Sequence, residues 1–163
     1  MAVNAFITFF DAAEGESNQK GKEKWIEVQG WDWEIQAESS WTKGGGASVG
    51  KPSPGKLSFE YYYDKSSGTI NKFMCTGKAF PKAELNMMKT TGKGSPETYF
   101  AMKMEGCFIT RSSMSGKEEG NVTQKVELVF KTVQIDYKPQ SAKDGTLAGS
   151  NIFKWDIPAG VAE

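Results

Sequence analysis

The chain runs to 163 residues without a single histidine. That absence removes Ser-His-Asp and Cys-His nucleophile arrangements, histidine general-base chemistry and most catalytic zinc sites. Cysteine is nearly absent too: Cys75 and Cys107 stand alone, outside any CxxC pair or zinc-like spacing. Two unpaired thiols fit a reducing cytoplasm. Neither sign of charge dominates, since 20 Lys plus Arg face 20 Asp plus Glu and no run of five like charges occurs. The basic footprint of a nucleic-acid binder is therefore missing, while a neutral chain repels its own copies little. Long apolar runs are missing as well. Met1 to Phe10 lacks a basic n-region and is too short and interrupted for a signal peptide or a membrane-spanning helix, so no membrane insertion is expected and any export bypasses the general secretory route.

What the chain does have is aromatics and glycine, with five Trp, five Tyr, ten Phe and eighteen Gly. Turn residues punctuate the sequence at intervals of roughly ten to fifteen positions, a pattern of strands joined by turns. The length suits one domain over 1–163 with one sizeable core.

Periodicity gives the elements. Ala5 to Phe10 reads as a strand followed by a long polar loop. In Trp25 to Ile35 the apolar positions fall on even numbers (Ile26, Val28) and then on odd ones (Trp31, Trp33, Ile35), which predicts a β-bulge at Gln29 or Gly30. Glu38 to Pro54 is small and polar without periodicity and reads as a long loop, of the kind that is usually functional or disordered. Leu57, Phe59, Tyr61 and Tyr63 alternate as the clearest half-buried strand. Residues 66–76 form the one expected helix, with Ser66 or Ser67 as cap, Ile70, Phe73 and Met74 as its apolar stripe, and Gly77 as its left-handed stop. Ala79–Lys89 and Thr98–Thr110 pair around the 90–96 turn. Met114 to Asn121 reads as a loop. Val122 to Tyr137 changes phase and predicts a second bulge near Lys131 or Thr132, and Phe153 to Ile157 closes the set. The fold class is therefore all-β: a compact barrel or sandwich of about seven antiparallel strands with one short flanking helix.

No catalytic, cofactor or metal site is expected. Asp32 with Glu34 and Glu118 with Glu119 are carboxylate pairs on an outer strand face and in a polar loop, where they read as solvated surface. Asp11, Glu14 and Glu16 lack the ladder of a calcium loop. Gly45 to Lys51 satisfies seven positions of a phosphate-binding loop, but Pro52 stands where Ser or Thr must hold magnesium, and Pro52 and Pro54 block the helix such a loop opens. Among the tryptophans, Trp31, Trp33 and Trp155 lie in phase with aliphatic partners and read as core. Trp41 opens the glycine loop and reads as a binding anchor.

Several strings are similar to the hemolysin-coregulated protein family (Hcp), the tube-forming component of bacterial type VI secretion systems. They are Met1-Ala-Val, Gly15-Glu-Ser, Ile26-Glu-Val with Trp31-Asp-Trp33, Leu57-Ser-Phe with Tyr63-Asp-Lys-Ser-Ser67, Val126-Glu-Leu-Val-Phe130, Tyr137-Lys-Pro-Gln140 and Trp155-Asp-Ile157. They occur in the family's order across nearly the whole chain. The resemblance implies a β-barrel with one flanking helix, assembled as a homo-hexameric ring, with rings stacked into a tube. It implies a contractile sheath, a valine-glycine-repeat spike protein and secreted effectors in the lumen as partners, with no enzymatic activity and no cofactor. It also implies a cytoplasmic protein before firing that is then secreted without a cleavable signal peptide.

A ring needs one surface of the domain to meet a different surface of its neighbour. The stretch from Ser39 to Gly55 fits a reaching arm, and the family has an extended loop at the matching position that packs against an adjacent subunit. Within it Trp41 and Val49 are expected as apolar contacts, while Lys43 and Lys51 would meet carboxylates. Tyr62 and Val129 break otherwise polar faces and are expected at a subunit contact or on the lumen wall. Two alternatives stand beside this reading: the stretch as a mobile surface loop, and the chain as a monomeric carbohydrate- or small-ligand-binding β-sandwich. Met87, Met88, Met102 and Met104 crowd the middle strands, where the family is commonly more aliphatic, and leave the register of those strands open.

Overall fold

The computed structural model describes residues 4–42 and 46–163. Two expected contacts, Lys43 and the side chain of Trp41, lie outside the described residues. In chain order the strands begin with β1 (Ala5–Thr8), β2 (Ile26–Val28), β3 (Gly30–Asp32), β4 (Ile35–Gln36), β5 (Ser39–Thr42), β6 (Gly46–Val49), β7 (Ser53–Pro54) and β8 (Leu57–Tyr62). Helix α1 (Ser67–Thr76) follows, then β9 (Phe80–Thr90), β10 (Pro96–Gly116), β11 (Val122–Val129), β12 (Thr132–Tyr137), β13 (Asn151–Asp156) and β14 (Val161–Ala162). Each of the seven periodic segments contains strand, and the helix lies at its expected place, ending at Gly77.

Antiparallel pairing joins these strands into a closed circuit. Strand β9 pairs with β1, which pairs with β2, while β3 pairs with β8, β8 with β11, β11 with the second half of β10, and the first half of β10 with β9. The circuit closes through Gln29, whose amide donates to the Glu60 carbonyl at 2.8 Å. A wing of β12, β13 and β14 continues from the first half of β10.

The two phase changes have different physical causes from the bulges the alternation suggests. At Gln29 the chain passes from pairing with β1 to pairing with β8, so the strand crosses a corner of the barrel and presents its other face inward. At 130–131 no extra residue is inserted. Phe108 pairs with Val129 and Glu105 with Thr132, so both strands advance by the same number of residues and turn the corner together. Gly106 makes that corner with φ 65°, and an added Cβ there would meet Lys131 Cδ at 3.0 Å. True register shifts occur elsewhere, between Ile109 and Arg111 and between Thr98 and Phe100. Strand β10 also runs past the expected end at Thr110 to Gly116, because its last residues stay paired with β11.

The core fills the barrel. Phe59, Tyr61, Leu85, Met102, Met104 and Leu128 are essentially inaccessible, and each large side chain so buried is worth about 1.5–3 kcal/mol. The crowded methionines are resolved by register: Met102 pairs with Leu85 and Met104 with Ala83, all facing inward. Trp155 belongs to the core, and Trp31 and Trp33 pack against it, as their phase predicts. The lysine-rich segment after Ser17 folds back over the outside of the sheet. Lys22 Nζ sits 4.2 Å above the Trp25 ring and donates to Asn86 Oδ1 at 3.2 Å, and burial lowers its pKa against the opposing pull of Glu84.

Candidate assembly surfaces

The stretch expected to be an irregular loop is instead a two-stranded ribbon. Its base is the β4–β7 pair, with Ile35 opposite Pro54, and its outer part is the β5–β6 pair, with Ser39 opposite Val49 and Thr42 opposite Gly46. Alternation could not reveal it, because Ser, Thr and Gly carry no hydrophobic signal on either face. The Ser40 and Ser48 hydroxyls lie 2.6 Å apart across the ribbon. Strand β6 occupies the segment that resembled a phosphate-binding loop, so no helix opens there.

The ribbon is tied to the barrel at its root. Trp33 Nε1 donates to the Gly55 carbonyl at 3.1 Å, and the Gly55 amide donates to the Glu34 carbonyl at 2.8 Å. Gly55 is required at this close approach, since a Cβ there would lie 2.9 Å from Glu34 Cγ and 3.0 Å from the Glu34 carbonyl oxygen. Beyond the root, every residue from Glu34 to Ser40 and from Ser48 to Ser53 is exposed, including Lys51, Ile35 at 45% and Val49 at 72%.

Tyr62 is 52% exposed at the far end of β8, with Tyr63 beside it. Val129 is half-buried on the outer face of β11, opposite the exposed Phe108. Ser58, which alternation puts on the same face as Tyr62, is 5% exposed, flanked by Asp32 and Glu127 on the adjoining strands.

Helix α1 seals the barrel through a polar network that alternation alone did not single out. Ile70 is buried and Phe73 stacks on Phe80 at 4.1 Å, but Met74, expected in the same stripe, is exposed. The remaining contact is polar. Tyr61 OH donates to Gln124 Oε1 at 2.8 Å and accepts from Ser67 Oγ at 3.1 Å. Gln124 Nε2 donates to Asn71 Oδ1 at 3.0 Å and to Ser112 Oγ at 2.7 Å. Neither serine hydroxyl caps a helix amide. Ser66 Oγ donates to Asp64 Oδ1, and Ser67 Oγ accepts from the Asp64 amide. Gly77 does end the helix in the left-handed conformation. Gln124 sits in phase with Val126 and Leu128, so a polar residue at an inward position was the available signal for this network.

The other titratable groups fall where their sequence contexts placed them. Asp11, Glu14 and Glu16 are exposed, as are Asp32 with Glu34 and Glu118 with Glu119. Among the described residues no group of three His, Cys, Asp or Glu side chains is placed to hold a metal. Burial, reinforced by Glu105, pushes the Cys107 thiol up to about 12, which leaves it unreactive.

Comparison with known proteins agrees with this architecture. The family described as "Type VI secretion system effector, Hcp" matches residues 6–137. Protein hcp1 of Pseudomonas aeruginosa is 33% identical over 158 residues, covering 96% of this chain and 96% of its own. The crystal structure of Hcp1 from Salmonella typhimurium is 30% identical, covers 100% of both chains and has a TM-score of 0.79. A structure described as that of a type six secretion system protein has a TM-score of 0.89 over 99% of this chain and 100% of its own; at 23% identity it speaks to the fold. With the family match running from Phe6 to the end of β12 and a relative a third identical along nearly its whole length, this chain belongs to the Hcp family of type VI secretion proteins.

Proposed function

We infer that the chain is a structural subunit of the type VI secretion tube and does no catalysis of its own. Six copies close into a ring, rings stack into a conduit, and the conduit is capped by a valine-glycine-repeat spike protein, driven by a contractile sheath and able to carry effectors in its lumen. The protein waits in the bacterial cytoplasm and leaves with the tube.

The observation that carries this reading is the ribbon from Ile35 to Pro54, exposed along both strands beyond its root. An isolated two-stranded ribbon is marginal in water. Val49 and Lys51 are exposed on it, and a neighbouring subunit supplies the surface that covers them. Family membership supports the same reading. Tyr62 and Val129 are further candidates for a subunit contact or the lumen wall. The Trp31, Trp33 and Trp155 rings lie against the core and leave no sugar-stacking platform among themselves, which disfavours the monomeric binding module.

Sedimentation velocity tests the reading. The intact protein is expected near six times the chain mass, and a chain lacking Gly44 to Val49 is expected to remain folded and monomeric. A strictly monomeric wild type, or normal rings from the shortened chain, would refute the assignment.

A further inference from the structure

At the end of β8 remote from the ribbon lies a cleft of about 160 Å³ lined by Glu16, Ser17, Glu27, Tyr62, Tyr63 and Asp64. Its aromatic walls are open, with Tyr62 52% and Tyr63 47% exposed. Its charge is uncompensated. The ion pairs among the described residues join Lys24 to Glu14, Lys93 to Glu97 and Lys103 to Asp136, and none reaches Glu16, Glu27 or Asp64. Adjacent Lys65 gives Glu16 its backbone amide, at 3.2 Å, rather than its ammonium. Burial raises the Asp64 pKa, hydrogen bonds from Ser66 oppose that rise, and the charge of Glu16 adds to it. Three carboxylates and two exposed phenol rings lining one cleft present the complement of a cationic side chain, which gains both from the charge and from the ring faces.

The same chain carries such a cation at the opposite end of the same strand. The ribbon enters β8 through Gly55 and Lys56, and the cleft lies where the chain leaves β8 at Tyr62. The six residues of β8 separate the two by about 20 Å. Lys51, on the ribbon, is exposed and makes no ion pair among the described residues. A donor at one end and an acceptor at the other is the arrangement for a heterologous contact, in which each copy gives to one neighbour and receives from another.

We propose that the Tyr62–Tyr63 cleft, with Glu16, Glu27 and Asp64, is the seat for Lys51 on the ribbon of a second copy of this chain. This rests on the reading that the ribbon meets a neighbouring subunit, and it names the surface that receives it.

Charge reversal tests it through Glu27 and Lys51, whose side chains are both exposed, so that folding is not put at risk. Glu27→Lys and Lys51→Glu are each expected to raise the protein concentration for half-maximal assembly roughly tenfold or more, with the urea midpoint of the monomer unchanged. The two reversals combined in one chain restore the pair between copies and bring assembly back to within about threefold of wild type. The proposal is overturned if the single reversals assemble like wild type, or if the combined variant does not recover, while the chain lacking Gly44 to Val49 stays monomeric. In that outcome the ribbon still reaches a neighbour but sits elsewhere. Normal assembly of the shortened chain would sink the ribbon reading and this seat with it.

Discussion

The barrel and the ribbon use the same antiparallel pairing, yet they stand at opposite extremes of burial. Around Phe59 the inward residues of β8 belong to one buried cluster, with Val126 of β11 in it and Trp31 of β3 packed against it. On the ribbon Ser39 faces Val49 with solvent beyond both. Folding has therefore settled the environment of the first group and left the second exposed in the single chain. Residues that hold the subunit together and residues that hold subunits to each other should separate cleanly in experiments on the monomer and on the assembly.

Substitution in the barrel is expected to have the largest effect on monomer stability. Phe59→Ala removes a ring that stacks on Tyr61 at 5.5 Å in a fully buried site, and should cost about 3–5 kcal/mol in urea unfolding. A loss below about 1 kcal/mol would mean that the barrel is much looser than its packing implies.

The next effect belongs to Tyr61. Burial raises its phenol to about 12, above the ordinary value of 10.0. The folded state thus keeps a proton that the unfolded state has already lost. The contribution is whole below about pH 10 and is lost as pH climbs to about 12, a fall of about 2–3 kcal/mol across that window. Tyr61→Phe should remove this component, and unfolding curves at both ends of the window, compared between the two proteins, will reveal it. Equal pH dependence in both would show that Tyr61 is not the group concerned.

Gln124→Leu comes third. It strips partners from Tyr61, Asn71 and Ser112 at once, and a cost of about 1–3 kcal/mol is expected, with faster amide hydrogen exchange in α1 as the local signature. The smallest effect on the monomer lies on the ribbon. Val49→Ser should change unfolding by no more than about 0.5 kcal/mol, because the side chain is 72% exposed. Its effect should instead be visible in sedimentation at low concentration, and a large loss of monomer stability would erase the contrast between barrel and ribbon.

The same contrast explains what could be seen in the sequence. Barrel strands were legible because one face is buried and the other solvated, so Leu57, Phe59 and Tyr61 announce themselves by alternation. The helix was legible from Ile70, Phe73 and Gly77. The ribbon was not, since strands exposed on both faces need no alternation, and Ser39 to Thr42 pair with Gly46 to Val49 through backbone and the Ser40–Ser48 hydroxyl contact. The corners were half legible: phase reversal marked Gln29 and Lys131, but alternation within one strand cannot tell an inserted residue from a turn that both partners share. Of the residues expected at assembly surfaces, Val49, Lys51 and Tyr62 are all exposed, whereas Val129 is half-covered within its own chain. The receiving cleft went unseen because Glu16, Glu27 and Asp64 come from three separate segments that only the closed barrel brings together.

The ribbon's attachment to β8 also has a mechanical side. Strand β8 lies between β3 and β11; its ladder to β11 runs its whole length, and its ladder to β3 covers Ser58 to Glu60. A pull on the ribbon directed along that strand loads these hydrogen bonds together, in shear, while a pull across it would open them one at a time. Force applied to the ribbon along β8 would therefore meet the chain where its sheet best resists tearing.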